Sequence, residues 1–506
     1  MQTSRFSCIS VCCALLAAPG CGGPAAAPPQ AERPETRPTR EATARPSAET
    51  AQEPPAPKIA PPEIVTDGQD RTGSERLESP PPSFTEAMSQ SVVSKPPAPE
   101  PEQIDEQRVQ ALGIRKLSSK HLTLYTDLPL DDEIRSLPEA FDQAYPQWRD
   151  YFRLTAPEQT PPRAIGRLMM DDSKFRAAGL LPDDLPAFVN GYSRGADLWW
   201  REQPSAYYRR HLMLHEGTHA FMFGTFGTCG PPWYMEGIAE LLATHSWTDG
   251  KLKLNVFPSS REGFPYWGRV KIVRDSVAEG TARQLEEVLA FAPGLHSTVE
   301  PYGWCWATAA FLDGHPRYQQ RFRQLPAELN NDEFNRRMKA LYVDDWSDLN
   351  EEWQCYILDL DYGYDLVRNA IEFVPGKPLP ADGARVTISA DRGWQSTGIR
   401  LEAGKQYSIR ASGRYQLGQQ PQIWWSEPNG VSLRYYGGRP LGVLMAAVHP
   451  EPYDPIAVSS LLSPSIVGLG TVLAPLETGT LYLRINDSPA ELADNVGQAE
   501  VEIKAE

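Results

Sequence analysis

No stretch of this chain reaches the ~18 consecutive apolar residues that a membrane-spanning helix needs, and its mean hydropathy is −0.44. Positive charge is also short. Lys plus Arg number 49 against 65 Asp plus Glu, a formal charge of −16. Such a chain lacks the basic face that holds phosphates, which sets nucleic acid aside as a main partner. Cysteine is scarce, seven in 506 residues, and none forms a C-x-x-C pair, so a thiolate zinc site is not expected. Histidine is nearly as rare, eight in all, so any close spacing of two histidines carries information. The length itself exceeds what one core supports and implies two or three domains.

The chain begins MQTSRFSCISVCCALLAAPGCGG. One arginine, a short apolar run from Phe6 to Ala18 and small residues before Cys21 form the pattern of a bacterial secretory signal with a lipobox. Residues 1–21 are therefore expected to be a lipoprotein signal peptide, with Cys21 the lipidated residue. An ordinary signal peptide cleaved nearby is the alternative. Under the first reading the protein is exported and membrane-anchored, facing the periplasm or the cell surface of a bacterium. Cys8, Cys12 and Cys13 leave with the signal, and Cys229, Cys305 and Cys355 remain, which allows one disulfide at most.

Residues 22–103 hold 18 of the 48 prolines and a single aromatic, Phe84. That composition buries too little apolar surface to offset its ordering entropy, so the segment is expected to be a disordered tether. From Ile104 the texture becomes that of a folded domain. HLTLYTDL (121–128) and RAIGRLMM (163–170) alternate as strands do. DEIRSLPEAFDQAYPQWRDYF has helical spacing, with Pro138 and Pro146 expected to interrupt it. GYSRGADLWW reads as a strand or hairpin, and SAYYRRHLMLHEGTHAFMF and WYMEGIAELLATH read as helices. Residues 264–358 look mostly helical. Strands followed by helices predict an α+β domain over 104–371. Beyond a Pro/Gly-rich join at FVPGKPLPADG, short β-like runs separated by Gly, Pro and Asn predict an all-β sandwich over 372–506.

LMLHEGTHAFM places His215 and His219 four residues apart with Glu216 between them. On a helix, i and i+4 share a face, so both imidazoles can point at one ion. Glu216 lies about 100° around the helix, where it reaches a water on that ion and not the ion itself. This is the logic of H-E-x-x-H: two metal ligands and one general base. A second helix, PPWYMEGIAELLA, follows after a glycine-rich turn and carries Glu236 and Glu240 on one face.

H-E-x-x-H followed by W-x-x-E-G-x-A-E resembles the gluzincin metallopeptidases, most closely the secreted peptidase MA-like bacterial proteins. The resemblance covers about residues 118 to 360. It implies a zincin-like fold, a zinc cofactor and a protein or peptide substrate. It carries the third zinc ligand onto Glu236, the general base onto Glu216 and a donor to the reaction's oxyanion onto Tyr302 of PYGWCWATAAFL. Tyr192 and Tyr266 are weaker alternatives, and Tyr302 also fits a core aromatic. Glu240 fits either a partner that fixes the tautomer of a ligand histidine or a solvated glutamate. No G-x-M-E-N sequence lies upstream, so exopeptidase activity is not implied. His211 is expected to line the rim of the cleft. His245, His296 and His315 are expected to be ordinary residues.

WQSTGIRLEAGKQYSIRASGRY and GTLYLRINDSPAELADNVGQAEVEI resemble the PA-IL-like galactose-binding lectin sandwich. The resemblance places possible calcium ligands at Asp487, Asp494 and Asn495 and a galactose-type glycan as a possible partner. Glu491 stands where the lectin has threonine and Asp494 where it has asparagine, so loss of sugar binding is an open alternative. Three functions therefore compete. The first is a zinc metallopeptidase with a calcium- or sugar-binding sandwich. The second is a carbohydrate-binding surface lipoprotein with an inactive peptidase-like domain. The third is a zinc hydrolase acting on a non-peptide bond.

Overall fold

Five strands and a central buried helix organise the N-terminal half of the computed structural model, which describes residues 104–155, 163–294, 298–330, 332–419, 422–454 and 457–506. The expected signal peptide, Cys21, the tether and His296 lie outside the described residues. Helix α1 (Glu106–Ala111) precedes β1 (Arg115–Ser118) and β2 (Leu122–Thr126). Helix α2 (Asp132–Tyr151) leads to β3 (Ala164–Met169), then come α3 (Asp172–Ala177) and the hairpin β4 (Gly191–Arg194) and β5 (Asp197–Arg201). The sheet order is β1-β2-β3-β5-β4. Strands β2, β3 and β5 run parallel, while β1 and β4 pair antiparallel at the two edges.

The period of two sorts this sheet into two cores. Leu122, Leu124, Leu168, Leu198 and Trp200 face the large helical core. Tyr125, Met169 and Trp199 face a smaller one with Phe175 and Phe188. Both faces are covered, as parallel strands require.

Helix α2 is unbroken, contrary to the expected interruption at Pro138 and Pro146, both of which lie inside it. Each proline removes one backbone hydrogen bond. The helix nevertheless buries Ile134, Leu137, Phe141, Ala144 and Trp148, and tertiary burial outweighs the local penalty.

Helix α4 (Ala206–Phe226) starts at Ser205, whose hydroxyl accepts from Tyr208 N at 3.1 Å. It is buried on nearly every side over 210–222, so its polar residues face protein rather than water. After a turn, α5 (Pro232–Ala243) runs beside it. The hairpin β6 (His245–Thr248) and β7 (Lys251–Leu254) follows. Then come α6 (Arg269–Ala278), α7 (Leu285–Leu289) and α8 (Glu300–Gly314). Gly237 lets α8 approach α5 closely: a Cβ there would lie 2.7 Å from the carbonyl oxygen of Cys305. The domain closes with α9 (Gln319–Phe322), α10 (Phe334–Leu341) and α11 (Trp346–Asp359).

The C-terminal part is all β. Its strands are β8 (Lys377–Pro378), β9 (Ala384–Ser389), β10 (Gln395–Leu401), β11 (Tyr407–Ser412), β12 (Tyr415–Leu417), β13 (Trp425–Ser426), β14 (Asn429–Tyr436) and β15 (Arg439–Pro450). They continue as β16 (Ser465–Ile466), β17 (Gly470–Leu473), β18 (Gly479–Ile485), β19 (Asn495–Val496) and β20 (Gln498–Ala505). One sheet runs β14-β15-β18-β10-β8 and a second runs β17-β11-β20-β9. Alternate residues Tyr407, Ile409, Ala411 and Ala499, Val501, Ile503 turn inward to one core.

Helix α11 joins the two parts. Glu351 meets His449 Nε2 at 2.8 Å and accepts from Ser459 Oγ at 2.5 Å. Gln354 donates to Ala457 O and accepts from Ser459 N. Asp359 pairs with Arg484 at 2.9 Å. A small apolar cluster of Ile371, Trp394, Met445, Leu461 and Tyr482 packs at the same junction, with Cys355 against it.

Candidate metal centre

Two adjacent helices bring three ligand atoms together. His215 and His219 stand one turn apart on α4, with Nε2 atoms 3.1 Å apart. Glu236 on α5 places Oε2 3.2 Å from His215 Nε2 and 3.5 Å from His219 Nε2. A tetrahedral ion about 2.0 Å from each ligand atom needs ligands about 3.3 Å apart, and the three observed edges match that spacing. A second test is charge. Glu216, Glu236 and Glu240 are all buried, and among the described residues Arg269 is the buried guanidinium that pairs with one of them. In the protonation state that binds a metal, with both imidazoles neutral and the carboxylates ionised, three carboxylates and one guanidinium leave an excess of two negative charges, which burial makes costly unless it is compensated. A divalent cation fits both the triangle and the charge. Buried His and Glu side chains thus form a possible metal-binding cluster.

The protonation of the metal-free cluster reports the same compensation. Burial works against the His215 imidazolium, but Glu236 and Glu240 outweigh it and push its pKa up to about 10. Burial raises Glu236 as well, yet the two histidines outweigh it and hold the carboxyl at about 2. Glu216 has no such partner. Its two oxygens make no hydrogen bond of ordinary geometry, and burial pushes its pKa up to about 8. His215 and the Ser193 hydroxyl pull it down without prevailing; Ser193 is close but not aligned as a hydrogen-bond donor. The backbone of edge strand β4 passes directly over Glu216, since a Cβ on Gly191 would lie 2.5 Å from Oε1.

Glu240 is fully buried rather than solvated. Its Oε1 lies 3.3 Å from His215 Nδ1 and its Oε2 lies 3.3 Å from His211 Nε2. His211 is likewise buried against Glu240 and meets the Ala243 carbonyl at 3.1 Å, so it does not line a rim. His211, His215 and Glu240 make a second group with metal-ligand types. Both oxygens of Glu240 already accept from Arg269, at 2.9 and 3.1 Å, and Oε2 also accepts from Trp267 Nε1 at 3.3 Å. That group is compensated by a guanidinium and supports the first triangle. Arg269 and Trp267 went unrecognised in the sequence, where nothing local marks them.

Tyr302 on α8 is buried, with its ring 6.2 Å from that of His215. Tyr192 faces the smaller core beside Phe188 and Trp199. Tyr266 is 52% exposed. His245 is buried, stacks on Tyr207 and meets the Ala243 carbonyl at 2.8 Å. His315 pairs with Glu352 at 2.9 Å. No disulfide joins Cys229, Cys305 or Cys355 among the described residues.

In the sandwich, Asp487 and Asn495 are together. Asn495 Nδ2 donates to Asp487 Oδ2 at 2.9 Å, and Ser488 N donates to Oδ1 at 2.7 Å. Burial pushes the Asp487 carboxyl up to about 6. Asp494 turns to the backbone of Gln419, 3.0 Å away, and Glu491 pairs with Arg434 at 2.6 Å. Among the described residues, no group of three His, Cys, Asp or Glu ligand atoms converges at this loop.

No protein-family model matches the chain, and no curated protein matches it. Among solved structures it is similar to a chain described as "EclA N-terminal domain; PllA-like lectin", with 23% identity over 24% of this chain and 95% of that one. The TM-score is 0.19, too low to carry an argument. No helix among the described residues is long and apolar enough to cross a membrane.

Proposed function

We propose that this protein is an exported zinc-dependent metallopeptidase. The observation that carries the reading is the triangle of His215, His219 and Glu236, with Glu216 buried beside it. His215, His219 and Glu236 would hold the ion, and two imidazoles with one carboxylate are a donor set that suits catalytic zinc. When bound, the zinc supplies Lewis acidity toward a substrate carbonyl and acidifies a water. Glu216 takes the proton of the attacking water as its oxygen bonds to the carbonyl carbon, and returns it to the departing amine as the C–N bond breaks. Tyr302 donates to the oxyanion formed between these steps. Glu240 Oε1 stands 3.3 Å from His215 Nδ1, placed to take a hydrogen carried there and so leave Nε2 free as a ligand. Edge strand β4 passes over Glu216 and is the sheet edge that an extended peptide would meet. The lipid anchor at Cys21 and the tether hold the enzyme off a membrane, and the sandwich binds calcium or a galactose-type glycan.

The test is a peptide-library digest with metal analysis. The expected result is one zinc per chain, lost in His215→Ala. Glu216→Gln should keep the zinc and lose hydrolysis; an unchanged rate in that variant refutes the assignment. One observation favours a second reading, a carbohydrate-binding surface protein whose metal only braces the fold: the ligands and Glu216 are at most 5% exposed. Calcium-dependent retention on galactose resin with no proteolysis of any peptide supports that reading instead. Hydrolysis confined to non-peptide bonds supports a zinc hydrolase of another class.

A further inference from the structure

We infer that Arg269 is the positioning residue of this centre, an inference that rests on the zinc reading above. It fixes Glu240, and through Glu240 the ligand His215, while also bracing Tyr302. Arg269 is the first residue of α6 and is 4% exposed. Nε donates to Glu240 Oε2 at 3.1 Å, Nη2 to Glu240 Oε1 at 2.9 Å, and Nη1 to the Trp267 carbonyl at 3.0 Å. Its guanidinium carbon lies 5.7 Å from the centre of the Tyr302 ring. One side chain thus touches both the group behind a metal ligand and the candidate oxyanion donor.

The chemistry requires a fork rather than a point charge. Two parallel N–H bonds hold a carboxylate in one plane, which a lysine ammonium does not do. Held in that plane, Glu240 presents Oε1 to His215 Nδ1, 3.3 Å away. A hydrogen on Nδ1 then leaves the lone pair on Nε2, the atom in the ligand triangle. Arg269 also cancels the charge of Glu240. With the imidazoles neutral and the carboxylates ionised, as metal binding requires, the excess negative charge left at the site is that of Glu216 and Glu236, which equals one divalent cation. Arg210, a buried arginine of helix α4, is no substitute, because it pairs with Glu133 at 2.6 Å and lies over Trp247.

The experiment measures zinc affinity of the full chain by competition with a chromogenic chelator, and the visible spectrum of the cobalt-loaded protein. Variants are Arg269→Met, Arg269→Lys, Glu240→Gln and the Arg269→Met/Glu240→Gln double. Arg269→Met should weaken zinc binding by roughly 10- to 100-fold and shift the cobalt spectrum. Arg269→Lys should recover part of the affinity without restoring the spectrum. The double variant should bind zinc about as well as Glu240→Gln alone, because the two residues act in series. Wild-type affinity and spectrum in Arg269→Met overturn the inference, and so do losses that add in the double variant. If Arg269→Met does not fold, Arg269→Lys decides, and a wild-type spectrum there overturns it. Absence of zinc binding in the wild-type chain overturns the metal-centre reading itself and this inference with it.

Discussion

Stripping the metal should turn Glu216 into a pH-dependent burden on the fold. In the metal-free protein burial raises its pKa from the ordinary 4.5 to about 8. The folded state therefore holds this proton more tightly than the unfolded chain. The resulting stability is fully present below about 4.5, falls as pH rises, and is gone above about 8. A difference of about 3.5 units at about 1.4 kcal/mol per unit gives an upper figure of about 5 kcal/mol. His215, pushed up to about 10, loses stability over a higher window, from its ordinary 6.5 upward. That loss is common to wild type and Glu216→Gln and cancels in the comparison. Glu236, held at about 2, changes only in acid. With zinc bound, the cation compensates the ionised Glu216 and the burden disappears. The assay is thermal unfolding at pH 5.5, 6.5, 7.5 and 8.5, with zinc or with a chelator. Metal-free wild type should drop by several degrees relative to metal-free Glu216→Gln between the lowest and highest pH, while the zinc-loaded pair stays level. Parallel metal-free curves for the two proteins would refute the reasoning.

Three further outcomes are expected. Gly191→Ala should disturb Glu216, since its Cβ would stand 2.5 Å from Oε1; a destabilisation of roughly 1–3 kcal/mol is expected, measured by denaturant unfolding, with a larger relative loss of hydrolysis. Asp487→Asn should stabilise the calcium-free protein at pH 7, because Asp487 titrates near 6 in the fold and its charge is disfavoured above that; the advantage should vanish below about 3.8, where both states are protonated, as read from melting temperatures across that range. Glu351→Ala strands His449 and Ser459 at a buried junction; a loss of roughly 3–5 kcal/mol is expected, with the sandwich and the helical part melting separately in calorimetry.

Local rules carried the sequence reading as far as local physics decides structure. The spacing of His215 and His219 is a property of one helix turn, and the strands of the β2–β5 sheet alternate as their burial requires. The same local rule failed at Pro138 and Pro146, where burial of Trp148 and its neighbours outweighs two missing hydrogen bonds. His211 was expected at the rim of the cleft, but its burial depends on Glu240 arriving from another helix. Arg269 and Trp267 lie 29 and 27 residues past Glu240 with no periodicity to tie them to it. Long-range pairings of this kind leave no mark on spacing or composition. Glu236 was legible only because the E-G-x-A-E pattern resembles a known family. In the sandwich loop, spacing alone could not show that Asp494 turns to the Gln419 backbone while Asp487 turns to Asn495.

The clasp formed by helix α11 has a geometric corollary. A module held by Glu351, Gln354 and Asp359 on one helix is tied at three points rather than one, which opposes a hinge motion. The separation between loop 487–495 and the His215 triangle is then a fixed span of the molecule, and so is the heading from one to the other. Under the proposed function, the centre would stand over whatever surface that loop grips at a set height and angle. Reach across such a surface would be limited by the body's own dimensions, and substrate choice would become partly a matter of where on that surface a bond lies.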